Sequence, residues 1–337
     1  MVAPVVTAPV VIAEIVRSGI VEGHHYGSWV ALDADGSVLG SAGDVEGPML
    51  PRSCNKPLQA LGMVEAGLGL QDELLALACA SHSGEDFHVE GVRRILASAG
   101  LTEDDLQTPP DWPLDDEVRE ALIRAGGSKA SILMNCSGKH AAMLATCVAN
   151  GWPTASYLLV DHPLQQQIRA TFERMTGEAS QVAVDGCGAP LLSTSLTGLA
   201  RAFSRVSTGS TGVGVSTGST DVGVSTASTA IADAMRAHPE YVSGTKRDEL
   251  ALLRAVPGAI GKAGAESCYV VALADGRAFA TKTDDGAARA RPPLMAALLE
   301  RFGVTAEDGV DADAVRRTGE SVLLGGGKPV GEIRAVL

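Results

Sequence analysis

Two matching hairpins, set at opposite ends of the chain, constrain the fold more than any other feature. Trp29-Val30-Ala31-Leu32 runs into Asp33-Ala34-Asp35-Gly36 and leaves through Ser37-Val38-Leu39-Gly40. Far downstream, Tyr269-Val270-Val271-Ala272-Leu273 passes through Ala274-Asp275-Gly276-Arg277 into Ala278-Phe279-Ala280-Thr281. An Asp-Gly step between apolar runs is a strong local hairpin signal, because glycine accepts the left-handed dihedrals of a tight turn. A lone hairpin is marginal in water. The two ends are therefore expected to meet in one antiparallel sheet, with a last strand from Val330 to Leu337.

What lies between must leave that sheet and return to it. Leu58–Leu68, Leu74–Ala80, Val89–Ala99, Glu117–Ala125, His140–Asn150 and Leu164–Met175 all place apolar residues at a spacing near 3.6, the period of a helix with one buried face. Gly126-Gly127, Asn150-Gly151 and Gly177 supply stops. The expected fold class is mixed α/β (α+β). A sheet lobe of about 10–50 and 258–337 would carry an inserted, mainly helical lobe of about 51–257. A cleft between two such parts is the default place for a site.

One segment departs from this pattern. Val206 to Gly214, Val215 to Gly223 and Val224 to Ala232 are near copies of one nine-residue unit rich in Ser, Thr and Gly. So short an array makes no solenoid, and its composition favours a mobile, low-complexity surface loop over 206–230. Such an insertion is tolerated because closing a longer loop costs little entropy; a lid over the cleft is the functional alternative.

Charge narrows the partners. The net charge is −13, so neither nucleic acid nor an anionic membrane would be attracted. Aromatic residues make up only 4%, too few for base- or sugar-stacking platforms. A small neutral or zwitterionic substrate remains compatible. The first thirteen residues are apolar but lack a basic start and carry Pro4 and Pro9, so a signal peptide is not expected. No run reaches the roughly 18 apolar residues of a membrane span. The six cysteines are irregularly spaced; without an export signal they read as reduced thiols in a cytoplasmic protein.

Ser53 and Lys56 are three apart in Arg52-Ser53-Cys54-Asn55-Lys56-Pro57. Pro57 suits a first helical turn, which would put both side chains on one face. Serine is a poor nucleophile until a base takes its proton, and a neutral lysine can be that base. The S-x-x-K spacing is that of serine β-lactamases and penicillin-binding proteins; a capping serine beside a solvated lysine has the same spacing. Ala80-Ser81-His82-Ser83-Gly84-Glu85 offers two hydroxyls, or a turn that caps the next helix. Cys136, Lys139 and His140 in one motif, and Cys187 in Asp185-Gly186-Cys187-Gly188, could bind zinc or be inert buried thiols. Gly261-Lys262-Ala263-Gly264 is either a turn lysine or the K-T-G-like element that completes β-lactamase-type sites.

Taken in order and spacing, these five segments resemble the thermolabile asparaginase II family, the rhizobial-type or class 3 asparaginases, over roughly Ile12 to Ala335. The resemblance implies a serine β-lactamase/glutaminase-like fold, a homodimer, and hydrolysis of L-asparagine to aspartate and ammonia. It implies two Ser-Lys pairs, Ser53 with Lys56 and Ser83 with Lys262, with Ser81 an alternative to Ser83. It implies a zinc site at Cys136, Lys139 and Cys187, with Asp185 close by, serving substrate binding more than chemistry. Arg52, Asn135, His140 and Asp185 are the expected substrate contacts, with Arg52 a candidate for the substrate carboxylate. The rival functions are a glutaminase or β-lactam-acylating hydrolase with the same serine, and a catalytically silent zinc-holding protein.

Overall fold

The computed structural model describes residues 10–210 and 225–337. The chain opens with strands β1 (Val10–Arg17), β2 (Ile20–Leu32) and β3 (Val38–Ala42). Helices α1 (Lys56–Glu65), α2 (Asp72–Ala78), α3 (Asp86–Ser98), α4 (Asp116–Arg124), α5 (Ser137–Asn150) and α6 (Pro163–Thr176) follow. A small ribbon, β4 (Val182–Val184) with β5 (Pro190–Leu192), precedes α7 (Leu196–Ser207), α8 (Thr226–Ala237), α9 (Pro239–Val242) and α10 (Asp248–Ala255). The chain then returns as β6 (Ile260–Ala263), β7 (Cys268–Ala272) and β8 (Ala278–Thr283), and ends with α11 (Arg291–Arg301), α12 (Ala312–Thr318), β9 (Val322–Gly325) and β10 (Lys328–Ala335).

Both ends of the chain do share one antiparallel sheet, ordered β6-β7-β8-β2-β1-β10-β9, with β3 also on β2. The two hairpins meet directly: β2 pairs with β8 from Gly27↔Thr283 to Leu32↔Ala278. β2 is long enough to serve two strands on its other side, β1 along its first half and β3 along its second. The sheet is covered on both faces, so side chains alternate between two cores with the period of two that a strand imposes. Val30, Leu32, Val270 and Ala280 enter the larger core with Leu199 and Phe203 of α7. Trp29, Ala31, Val271 and Phe279 face Leu294 and Leu298 of α11.

Each of the six expected helices is present within a few residues. α5 runs through the middle of the helical part, buried from Ser137 to Cys147, and ends at Gly151 with φ +65°. The loop expected over 206–230 is corrected at both ends. α7 continues to Ser207, and α8 starts at Thr226, where the Ser225 hydroxyl accepts from the Ser228 N–H. The reason is in the third repeat copy, which has Ala227, Ala230 and Ala232 where the first has glycines; alanine favours helix over glycine by about 1 kcal/mol per residue. The centre of the repeat, 211–224, lies outside the described residues, as do 1–9 and so most of the apolar start. Among the described residues no helix is long and apolar enough to cross a membrane.

Candidate active site

The chain crosses from sheet to helices at a short 3₁₀ turn, Arg52–Asn55, which runs straight into α1. That continuity fixes Ser53 and Lys56 about one turn apart, and Pro57 is accepted because it falls in the first turn of α1. Arg52 is held at φ +51°, a region that costs a non-glycine residue energy and is tolerated where surroundings enforce it. Here its guanidinium is fixed by Asp185, Nε to Oδ1 at 2.9 Å.

Ser53 opens into a cleft of about 590 Å³ between the helical body and the edge of the sheet, lined also by Ser81, Ser83, Asn135, Arg247 and Gly264. Gly264 is needed where it stands. A Cβ there would lie 2.6 Å from the Pro51 carbonyl and 3.3 Å from the Cys54 nitrogen, so the end of β6 can press against the Ser53 turn only without a side chain. The Cys54 thiol closes the same seam, donating to the Lys262 carbonyl at 3.0 Å.

Lys56 is buried, and its Nζ donates to the Ala80 carbonyl at 2.6 Å and to Ser81 Oγ at 3.0 Å. The serine hydroxyl that Lys56 holds is therefore Ser81, and Ser53 is not among its hydrogen-bond partners. The implied pairing of Ser83 with Lys262 is not formed. Ser83 Oγ donates to the Ser243 carbonyl at 2.7 Å, and Lys262 Nζ donates to the Ala263 carbonyl at 2.7 Å and to Glu249 Oε1 at 3.3 Å. Ser81 and Ser83 flank His82 in a segment without regular structure, so their neighbours are set by packing at long range rather than by spacing.

Lys262 is fully buried, and that desolvation pushes its pKa down to about 8, against the pull of the Glu249 carboxylate and with help from the Arg247 and Lys56 charges. Glu249 is equally buried and ionised. Burial opposes its charge, but Arg247, Lys262 and Arg291 outweigh burial and hold its carboxyl below the usual range. Its Oε2 meets Arg247 at 2.7 Å, and its Oε1 also accepts from the Ala263 N–H at 2.7 Å. Neither Arg247 nor Glu249 belongs to any motif. Lys246-Arg247-Asp248-Glu249 reads in sequence as an ordinary charged helix start.

A second cluster sits behind Asn135. The side-chain donor atoms of Cys136, Asp185 and Cys187 all lie within 4.8 Å of one another, and Lys139 Nζ donates to Cys187 Sγ at 3.2 Å. The Cys136 thiol is drawn well below its ordinary pKa, first by its hydrogen bond with Cys187, then, against burial, by the Lys56 and Lys139 charges. Lys139 is buried, yet the charges on Cys187, Cys136 and Asp185 hold its proton more tightly than usual. His140 shares a 2.7 Å hydrogen bond with the Tyr157 hydroxyl through Nδ1, while its buried Nε2 has no partner. A sulfur-rich, buried donor set with a spare nitrogen beside it fits zinc.

Of the four expected substrate contacts, only Asn135 lines the cleft. It also joins the two clusters, for its Oδ1 accepts from Cys136 Sγ at 3.0 Å. Arg52 pairs with Asp185 and lies 3.7 Å from Glu266, and His140 is enclosed with Tyr157; none of these three is among the cleft-lining residues.

Solved structures with a similar course of chain include a β-lactamase from Mycobacterium bovis, 15% identical, with a TM-score of 0.46 over 82% of this chain and 94% of that one. A Bacillus glutaminase is 11% identical, with a TM-score of 0.45 over 82% of this chain and 90% of that one. A probable glutaminase from Bacillus subtilis is 12% identical, with a TM-score of 0.39 over 86% and 89%. No residue role is taken from these likenesses. A comparison with curated proteins finds no match. The family description for L-asparaginase II matches residues 13–335. Spanning nearly the whole sequence, that match shows that the chain belongs to the L-asparaginase II family.

Proposed function

We propose that the protein is an L-asparagine amidohydrolase with Ser53 as nucleophile. The observation that carries this is a half-buried serine opening into a cleft, one helical turn from a buried lysine that already holds a second hydroxyl. Lys56 in its neutral form takes the Ser53 proton as Oγ attacks the side-chain amide carbonyl. In this reading, backbone N–H groups near the start of the helix would receive the developing oxyanion. Collapse breaks the C–N bond, and the proton held on Lys56 reaches the leaving nitrogen through Ser81, so that ammonia departs. Water then adds to the aspartyl ester by the same relay in reverse. Lys262 and Glu249 set the charge behind the reacting serine, and Ser83 lines the wall beside it.

Cys136, Lys139 and Cys187, with Asp185 alongside, would hold zinc, Lys139 giving up its proton to do so. When bound, the ion supplies positive charge for holding the substrate. Elemental analysis of the purified protein checks this: about one zinc per chain is expected, and Cys136→Ala should lose it. A homodimer belongs to the same reading through family likeness, and sedimentation tests it; a cytoplasmic location rests on the cysteines read as reduced thiols.

The deciding measurement is ammonia release from L-asparagine and from L-glutamine by the wild type and by Ser53→Ala. Turnover of asparagine that falls by at least about 1,000-fold in a folded Ser53→Ala protein is expected. Wild-type rates in that variant remove Ser53 from the nucleophile role. A faster rate with glutamine redirects the substrate, since one methylene is worth only about 1–3 kcal/mol.

A further inference from the structure

Three cations line the cleft, and two are fully engaged. Lys246 lies 2.5 Å from Glu117 and 3.6 Å from Asp115. Arg291 grips Asp248 with two nitrogens, stacks 5.4 Å from the centre of the Tyr269 ring, and leaves only 8% of its side chain exposed. Arg247 is different. One nitrogen is fixed on Glu249 at 2.7 Å, another makes only a long 3.4 Å contact with the Ser81 carbonyl, and a quarter of the side chain remains open to the cleft. A guanidinium has five N–H donors in a rigid fork, so Arg247 keeps donors in reserve. Glu249 cannot follow it outward, because its other oxygen is tied to the Ala263 N–H and Lys262. The fork is therefore held in place before any ligand arrives.

We infer that Arg247 is the carboxylate-binding residue of this cleft and that the substrate must carry a free α-carboxylate. The inference rests on the amidohydrolase reading above and gives the role expected of Arg52 to Arg247, because Arg247 lines the cleft and Arg52 does not. Its position suits the task. The long contact puts Arg247 beside Ser81, the hydroxyl held by Lys56. In asparagine the carboxylate is separated from the amide carbonyl by only two carbons, so one end can lie on Arg247 while the other meets Ser53. Asp115, Asp116 and Glu117 also line the cleft, giving an α-ammonium group a wall of opposite sign. Asparagine inside a peptide chain lacks both charges and is excluded.

The test uses the full chain with Ser53→Ala, so that bound amides survive. L-asparagine and its α-amide, L-aspartamide, are titrated calorimetrically into Ser53→Ala and into Ser53→Ala with Arg247→Met. The first protein should prefer asparagine by about 10- to 100-fold, the range for a charge-assisted hydrogen bond. Arg247→Met should erase that preference while leaving affinity for the α-amide nearly unchanged. A preference that survives Arg247→Met, no preference to begin with, or no binding of asparagine at all overturns the inference. Should the methionine variant fail to fold, Arg247→Lys keeps the charge on Glu249 but removes the fork, and an undiminished preference there is equally fatal. A wild type that binds with this preference yet releases no ammonia defeats the proposed function and leaves the carboxylate site standing.

Discussion

Three lysines, Lys56, Lys139 and Lys262, rank among the largest fully buried side chains of the molecule, and what each touches decides what it can do. Lys139 is enclosed by thiols and a carboxylate that keep its charge. Lys56 is offered a carbonyl and a hydroxyl. Removing that hydroxyl with Ser81→Ala is expected to lower kcat by about 100-fold or more, the usual worth of a positioned proton relay, whereas Ser83→Ala should cost much less; steady-state ammonia release on both variants decides between them. Burial pushes the Lys262 pKa down to about 8, against the pull of Glu249 and, more weakly, Cys54. The Lys262 charge is lost as pH rises, so the part of kcat/KM that depends on that charge is expected to fall with a midpoint near pH 8. Removing the anion with Glu249→Gln makes the proton easier to lose, and the midpoint should move to lower pH. An unmoved profile would take Lys262 out of the titrating role.

The helices that were legible in the sequence are those whose apolar period runs uninterrupted, α1 to α6. Of those not read from the sequence, α7 has as clear an apolar period as these, whereas α8 and α11 carry local signals of loop. α8 starts inside a Ser/Thr repeat, and α11 opens on Pro292-Pro293, which break a helix anywhere but in its first turn. The site shows the same division. Motifs located Ser53, Lys56, Cys136, Lys139, Cys187 and Lys262, whose chemistry is unusual enough to mark them. They could not give the pairing of Ser81 with Lys56, 25 residues apart, nor the parts played by Arg247 and Glu249, which depend on how α10 packs against β6 and the Ser81 segment. The seam between β6 and the Ser53 turn can be probed directly. Gly264→Ala forces a methyl group against the Pro51 carbonyl, and overpacking of this kind typically destabilises by about 1–3 kcal/mol. Urea unfolding should show that loss, and asparagine turnover should fall with it because Ser53 moves.

At the scale of the molecule, pH stability follows from histidines folded away in neutral form. His82 is fully buried and stacks on His88, ring centres 5.3 Å apart. Burial depresses the pKa of both, His82 well below its ordinary value and His88 to about 4. A depressed folded pKa means that the unfolded chain takes up protons first. Their contribution is therefore complete above about pH 6.5 and is lost as pH falls toward 4, at about 1.4 kcal/mol per pH unit for each group. Thermal midpoints are expected to be flat from pH 7 to 8 and to drop steeply between 6 and 4.5; His88→Gln should make the drop shallower.

The sheet that joins the two chain ends also sets an order of events during synthesis. β1, β2 and β3 leave the ribosome first, but β8 and β10, which pair with β2 and β1, are made last. Between Ala42 and Ala278 lie 235 residues, which at about 5–20 residues per second take roughly 10–50 s to translate. Throughout that interval the N-terminal strands have open edges and no second face, while the helical body beside them can already collapse. Newly made chains are thus most vulnerable to edge-to-edge association before β8 and β10 are made, and the cleft, closed by β6 against the Ser53 turn, exists only once β6 has been made.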